Sequence, residues 1–150
     1  MDAQAYKARG DIYTAQSDPT CAIADLSAAI AIDLKFTDAY INRGVAYLSK
    51  SNWDSAISDF TTAIALDSRR PAAYLNRGQA YGARHNRDPA IADFTKAIAL
   101  NPDADQAYLQ RAFFRQQGGD NPGAIDDYQS RHRSESEGRQ SAPRPWLLSD

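Results

Sequence analysis

The residues able to do chemistry are few. One cysteine, Cys21, and two histidines, His85 and His132, are the soft-ligand and nucleophile candidates in 150 residues. A cysteine near a helix N-terminus gains thiolate character, and catalysis then needs a base beside it. Cys21 opens a helical stretch, but no histidine is placed to activate it, and we read it as a passive thiol. His85 falls at a turn between helices and His132 near the end of the last apolar pattern. Neither sits at metal-ligand spacing, so no metal site, cofactor site or catalytic residue is assigned. Gly118-Gly119 runs into Asp120, whose charge repels phosphate, and reads as a turn. What does recur is a pair of opposite charges. Arg9, Arg43, Arg77 and Arg111 each precede an aspartate (Asp25, Asp59, Asp93 and Asp127) by 16 residues.

Those columns belong to a longer pattern. Gly10, Gly44 and Gly78 are spaced by 34 residues, and Ala112 continues the series. Tyr6, Tyr40, Tyr74 and Tyr108 keep the step. So do Ala22, Ala56, Ala90 and Ala124, each followed by Ile. Leu26, Phe60, Phe94 and Tyr128 form a bulky column. Residues 37–70 and 71–104 are identical at 18 of 34 positions, so one supersecondary unit is repeated.

Each unit reads as two helices. Tyr74, Gly78 and Tyr81 lie on one face of a first helix, and Ala90, Ile91, Phe94, Ala97 and Ile98 trace a stripe on a second. Between them Asp88 is expected to cap the second helix, with Pro89 in its first turn. Asp18-Pro19 and Asn121-Pro122 are expected to do the same in their units. The spacing predicts helices at roughly 3–16, 19–33, 37–50, 53–67, 71–84, 88–101, 105–117 and 122–132. Glycine in a helix interior costs about 1 kcal/mol relative to alanine, so its repetition implies a close approach. The second helix of the same unit is the expected neighbour, with the Ala22 column as the flat matching surface.

Composition narrows the function. The chain is 43% hydrophobic and 24% charged, with a net charge of −2. A nucleic-acid binder normally shows a basic surface, and this balance offers none. No apolar run is long enough to span a bilayer. Met1-Asp2-Ala3-Gln4 carries no signal-peptide pattern, and one cysteine allows no intrachain disulfide; a cytoplasmic location is expected.

Tyr74, Gly78, Tyr81, Ala90, Phe94, Ala97 and Pro102 together resemble the unit of the tetratricopeptide repeat family. Tyr40, Gly44, Tyr47, Ala56, Phe60 and Ala63 repeat it, with Ser68 in place of proline. The resemblance covers residues 3 to about 131. It implies an all-α, right-handed superhelical solenoid of about four units, near 3–36, 37–70, 71–104 and 105–132, within a domain spanning 1–132. It departs where Arg9, Arg43, Arg77 and Arg111 replace an apolar residue, and where Ala112, Arg115 and Arg131 replace glycine, tyrosine and alanine.

A buried guanidinium requires a partner. Each of these arginines is therefore expected to meet an aspartate of its own or an adjacent unit. The family also implies a concave face lined by the first helices. Here that edge carries Lys7, Asp11, Ile41, Asn42, Val45, Leu48, Leu75, Asn76, Gln79, Leu109, Gln110 and Phe113. Amides offer both donor and acceptor to a peptide backbone, and the apolar neighbours suit its side chains. The expected partner is a protein or peptide segment with aliphatic or aromatic anchors. Family members that clamp acidic chaperone tails use Lys and Asn on the first unit, Asn on the next, and Lys and Arg on the third. Lys7 and Asn42 match that scheme; Asp11, Ala72 and Asn76 do not.

The sequence reading is thus a non-enzymatic interaction scaffold. The alternatives are a regulatory or targeting module of a larger enzyme or assembly and, last, a nucleic-acid-binding helical repeat. Residues 133–150 read as a polar tail ending in Pro143, Pro145, Trp146, Leu147 and Leu148. Three readings stay open for them: folding back over the last unit, linking two copies of the chain, or remaining an unstructured appendage.

Overall fold

The computed structural model of the protein describes the backbone of residues 2–140 and the side chains of residues 2–131. Eight α-helices occupy the described residues, with no strand: α1 Ala3–Ala15, α2 Pro19–Ile32, α3 Thr37–Ser49, α4 Trp53–Leu66, α5 Pro71–Ala83, α6 Arg87–Leu100, α7 Asp105–Gln117 and α8 Asn121–Gln140. The pattern-derived bounds agree within about a turn through α7. The last helix runs on to Gln140 instead of ending near residue 132, so the first half of the expected polar tail is helical. Residues 141–150, with Trp146, Leu147 and Leu148, lie outside the described residues.

The turn within each unit is built the same way four times. The amides of Asp18, Asn52, Asn86 and Asp120 reach back to the carbonyls of Tyr13, Tyr47, Tyr81 and Arg115 at 2.9–3.0 Å. Such a bond closes a helix end when the preceding residue adopts a left-handed conformation. That residue is Ser17, Ser51, His85 or Gly119, with φ of 59°, 55°, 61° and 84°. His85 is therefore a turn residue in a conformation that glycine adopts more cheaply.

The residue after it caps the second helix. Asp18 accepts from the Cys21 amide at 3.1 Å, Asn52 from Ser55 at 3.3 Å and Asp120 from Gly123 at 3.0 Å. The expected caps Asp88 and Asn121 are thus displaced by Asn86 and Asp120. Pro89 explains why Asn86 makes no side-chain cap bond: it stands where the other units present an N–H, and proline has none.

Within each unit the two helices pack side by side, and each second helix packs on the first helix of the next unit. Successive first helices (α1, α3, α5 and α7) also touch one another, whereas successive second helices do not. The stack therefore curves with the first helices inside. Fully buried alanines, among them Ala22, Ala56, Ala73, Ala90 and Ala107, let the helices approach. The glycine column faces the bulky column, with the alanines playing no nearer part. A Cβ at Gly44 or Gly78 would lie 2.6 or 2.7 Å from the Phe60 or Phe94 ring, and one at Gly10 2.8 Å from Leu26. Ala112 is tolerated in the fourth unit, where the corresponding Tyr128 is 38% exposed.

Candidate protein-interaction face

The arginine and aspartate columns meet inside each unit. Arg77 donates through Nε and Nη2 to the two carboxylate oxygens of Asp93, both at 2.8 Å. Arg43 grips Asp59 at 2.8 and 2.7 Å, Arg111 grips Asp127 at 3.0 and 2.5 Å, and Arg9 grips Asp25 at 2.5 and 2.7 Å. This planar two-point geometry is the strong form of a charge-assisted hydrogen bond. The carboxylates are buried.

Sequence reasoning missed two partners of these guanidinium groups. The remaining Nη1 of Arg43, Arg77 and Arg111 donates across the unit boundary to Ser27, Thr61 and Thr95 at 3.0–3.1 Å. The hydroxyls are themselves a 34-residue column, which is the signal that could have found them. The tyrosines flank the same arginines: Arg43 lies 5.6 and 5.9 Å from the Tyr40 and Tyr47 ring centres, and Arg77 repeats this with Tyr74 and Tyr81. Such placement adds cation–π attraction. In the fourth unit Arg115 stands where Tyr47 and Tyr81 stand, and it gives Asp127 a second guanidinium at 2.9 Å.

The inner face is formed as follows. Lys7 donates to Asp11 at 2.6 Å, and the Asn42 amide donates to the other oxygen of Asp11, also at 2.6 Å. Asp11, Thr14, Asn42 and Val45 line a hollow of about 180 Å³. Leu48, Leu75, Asn76, Gln79, Leu109 and Gln110 are half-buried along the same edge. Phe113 is 48% exposed and meets Phe114 edge to face. Ile41 departs from this group. It is only 6% exposed and packs with Phe60, Ala63 and Ala73, so it belongs to the core and offers little to a ligand.

Asp38 on α3 pairs with Arg70, the residue just before α5, and Asp54 of the second unit pairs with Arg84 of the third. The residues with catalytic potential stay apart. The Asp18 carboxylate that caps α2 also faces the Cys21 thiol, and it pushes the thiol pKa up from its ordinary value; this opposes the activation expected at a helix start. His85 and Phe114 border a cavity of about 520 Å³ between the α5–α6 turn and α7. Among the described residues no group of three or more His, Cys, Asp or Glu is placed to hold a metal ion, and no helix is long and apolar enough to cross a membrane.

Comparison with known proteins agrees with this architecture. The family model described as Tetratricopeptide repeat matches residues 71–104, and a second, described as TPR repeat, matches residues 46–83. No curated protein matches this sequence. Among solved structures, a crystal structure of MamA has a TM-score of 0.88 at 23% identity, over 92% of this chain and 81% of that one. The Arabidopsis OM64 TPR domain has a TM-score of 0.75 at 26% identity, over 76% of this chain and 94% of that one. The first TPR of Spaghetti (RPAP3), bound to the HSP90 peptide SRMEEVD, has a TM-score of 0.78 at 25% identity, over 79% and 94%. The repeat models match across residues 46–104, and the eight described helices stack as four such units: the chain is built of tetratricopeptide repeats.

Proposed function

We propose that this protein is an interaction scaffold whose concave face, along α3, α5 and α7, holds a segment of a partner protein with aliphatic or aromatic anchors. Similar TPR domains are seen with peptides bound, which supports a protein-interaction role. The observation that carries the finer reading is Phe113, a large apolar side chain 48% exposed on a first helix. Leu75, Leu109 and the Asn76 and Gln110 amides stand beside it on the same edge. An exposed aromatic supplies an apolar anchor point, and neighbouring amides offer donor and acceptor to a peptide backbone.

The similar domains of RPAP3 hold peptides ending in EEVD. Such an acidic end needs unpaired cations. Here Lys7 is engaged by Asp11, and Arg70 by Asp38. The positions that would supply cations on the third unit are Ala72 and Asn76. An acidic tail is therefore a poor ligand for this face. Selection of peptides from a random display library against the wild type and the Asn42→Ala, Asn76→Ala double variant tests the reading. It is supported if apolar-anchored sequences emerge and bind the double variant at least tenfold more weakly. It fails if the recovered peptides are acidic at their C-terminus, or bind both proteins equally.

A further inference from the structure

The two ends of the solenoid present the two halves of an interface that the chain already uses internally. At each boundary inside the stack, a second helix receives the first helix of the next unit. The residues that enter such a boundary are covered: Ala46 is 1% exposed, Ala80 0% and Phe114 8%. Ile12 holds the same column on α1, where no described helix precedes it, and is 56% exposed. The arginines follow suit. Arg43, Arg77 and Arg111 are 11–18% exposed and reach a hydroxyl of the preceding unit, whereas the Arg9 side chain is 46% exposed.

The receiving side has the matching defect. Ile23, Ile57 and Ile91 are half-buried at the internal boundaries, but Ile125 is 57% exposed. Leu26, Phe60 and Phe94 are fully buried, but Tyr128 is 38% exposed. The acceptor column also continues. Ser27, Thr61 and Thr95 accept from the next unit's arginine, and the residue 34 further on is Gln129, whose amide oxygen is an acceptor.

We propose that copies of this chain stack head to tail, the outer face of α8 receiving α1 of a second copy. Ile12 then meets Ile125 and Tyr128, and Arg9 donates to Gln129 while keeping Asp25. The junction repeats the α2–α3, α4–α5 and α6–α7 packing and so needs no new geometry. The two faces differ, so the contact is heterologous and the assembly is an open series instead of a closed dimer. This surface is separate from the concave groove and uses none of residues 141–150.

Sedimentation velocity of the full 150-residue chain across a wide concentration range tests it, with Ile12→Asp and Ile125→Asp as variants. Both positions are exposed in a single copy, so helicity and melting temperature should hold. If Ile125→Asp does lose helicity, Gln129→Arg replaces it, setting a like charge against Arg9. The wild type is expected to grow beyond a dimer with concentration. Each variant alone should associate at least tenfold more weakly. An equimolar mixture of the two should form dimers and stop there, because one intact head and one intact tail remain. A wild type that stays monomeric overturns the proposal, whether or not residues 141–150 cover α8. So does association that survives both variants, and so does failure of the mixture to complement.

Discussion

Consider Arg77→Ala. The Asp93 side chain is 8% exposed in the intact pair, and the substitution strips its carboxylate of two hydrogen bonds of 2.8 Å and of its counter-charge. It also removes the cation between the Tyr74 and Tyr81 rings. An exposed ion pair is worth about 0.2–1 kcal/mol, whereas breaking a buried one costs about 3–5 kcal/mol. The Arg77 side chain is 17% exposed, which places this pair nearer the buried limit. The expected loss is about 2–4 kcal/mol, less than the full buried value because the guanidinium edge still meets water. Asp93→Ala should cost a similar amount, and the double variant far less than the sum, since it leaves no orphaned charge. Urea unfolding of the four proteins, followed by circular dichroism and fitted with nearest-neighbour coupling between units, gives the interaction energy. A coupling near zero would refute the reasoning. The first unit supplies a control: Arg9–Asp25 has the same geometry but a 46% exposed arginine, and its coupling should be clearly smaller.

Three further outcomes follow from the same packing. Gly78→Ala places a methyl 2.7 Å from the Phe94 ring, and overpacking should outweigh the gain in helix propensity by about 1–2 kcal/mol, read as a lower urea midpoint. His85→Gly relieves a left-handed backbone at φ 61° and should raise stability by about 0.5–1 kcal/mol in thermal melts. Acid should unfold the protein through its held carboxylates. The Cys21 amide bond lowers the pKa of Asp18, and the Arg9 guanidinium lowers that of Asp25. Their contribution is present above the unfolded aspartate pKa of about 3.9 and is lost as pH falls below it toward the folded values. Asp18→Asn and Asp25→Asn should flatten stability against pH in that window; unchanged profiles would contradict the assignment.

The sequence was most informative where identity repeats. The 34-residue step located α1 to α7 and aligned each arginine with its aspartate, because both members of each pair lie on recurring columns. It could not say how far α8 runs, since residues 133–140 carry no apolar stripe and so no period to read. The caps were misplaced in the third and fourth units because Pro89 and Pro122 are conspicuous, while the column Asp18, Asn52, Asn86 and Asp120 is quieter. That column and the hydroxyls at Ser27, Thr61 and Thr95 were legible as periods, whereas the left-handed residues Ser17, Ser51, His85 and Gly119 share no residue type. Ile41 was not. It shares a column with Leu75 and Leu109, which stay half-buried, and its burial against Phe60 depends on how neighbouring side chains fill the boundary between two units. Residues at the edge between two helix faces are assigned by packing, and the period alone does not resolve them.

The central claim is that the first helices form the binding face. Amide chemical-shift mapping tests it most directly, with a selected apolar-anchored peptide titrated into the labelled protein. The largest shifts should cluster at residues 42–48, 75–79 and 109–113, on α3, α5 and α7. Shifts concentrated on α2, α4 and α6, or at the α5–α6 turn around His85 and Pro89, would contradict it.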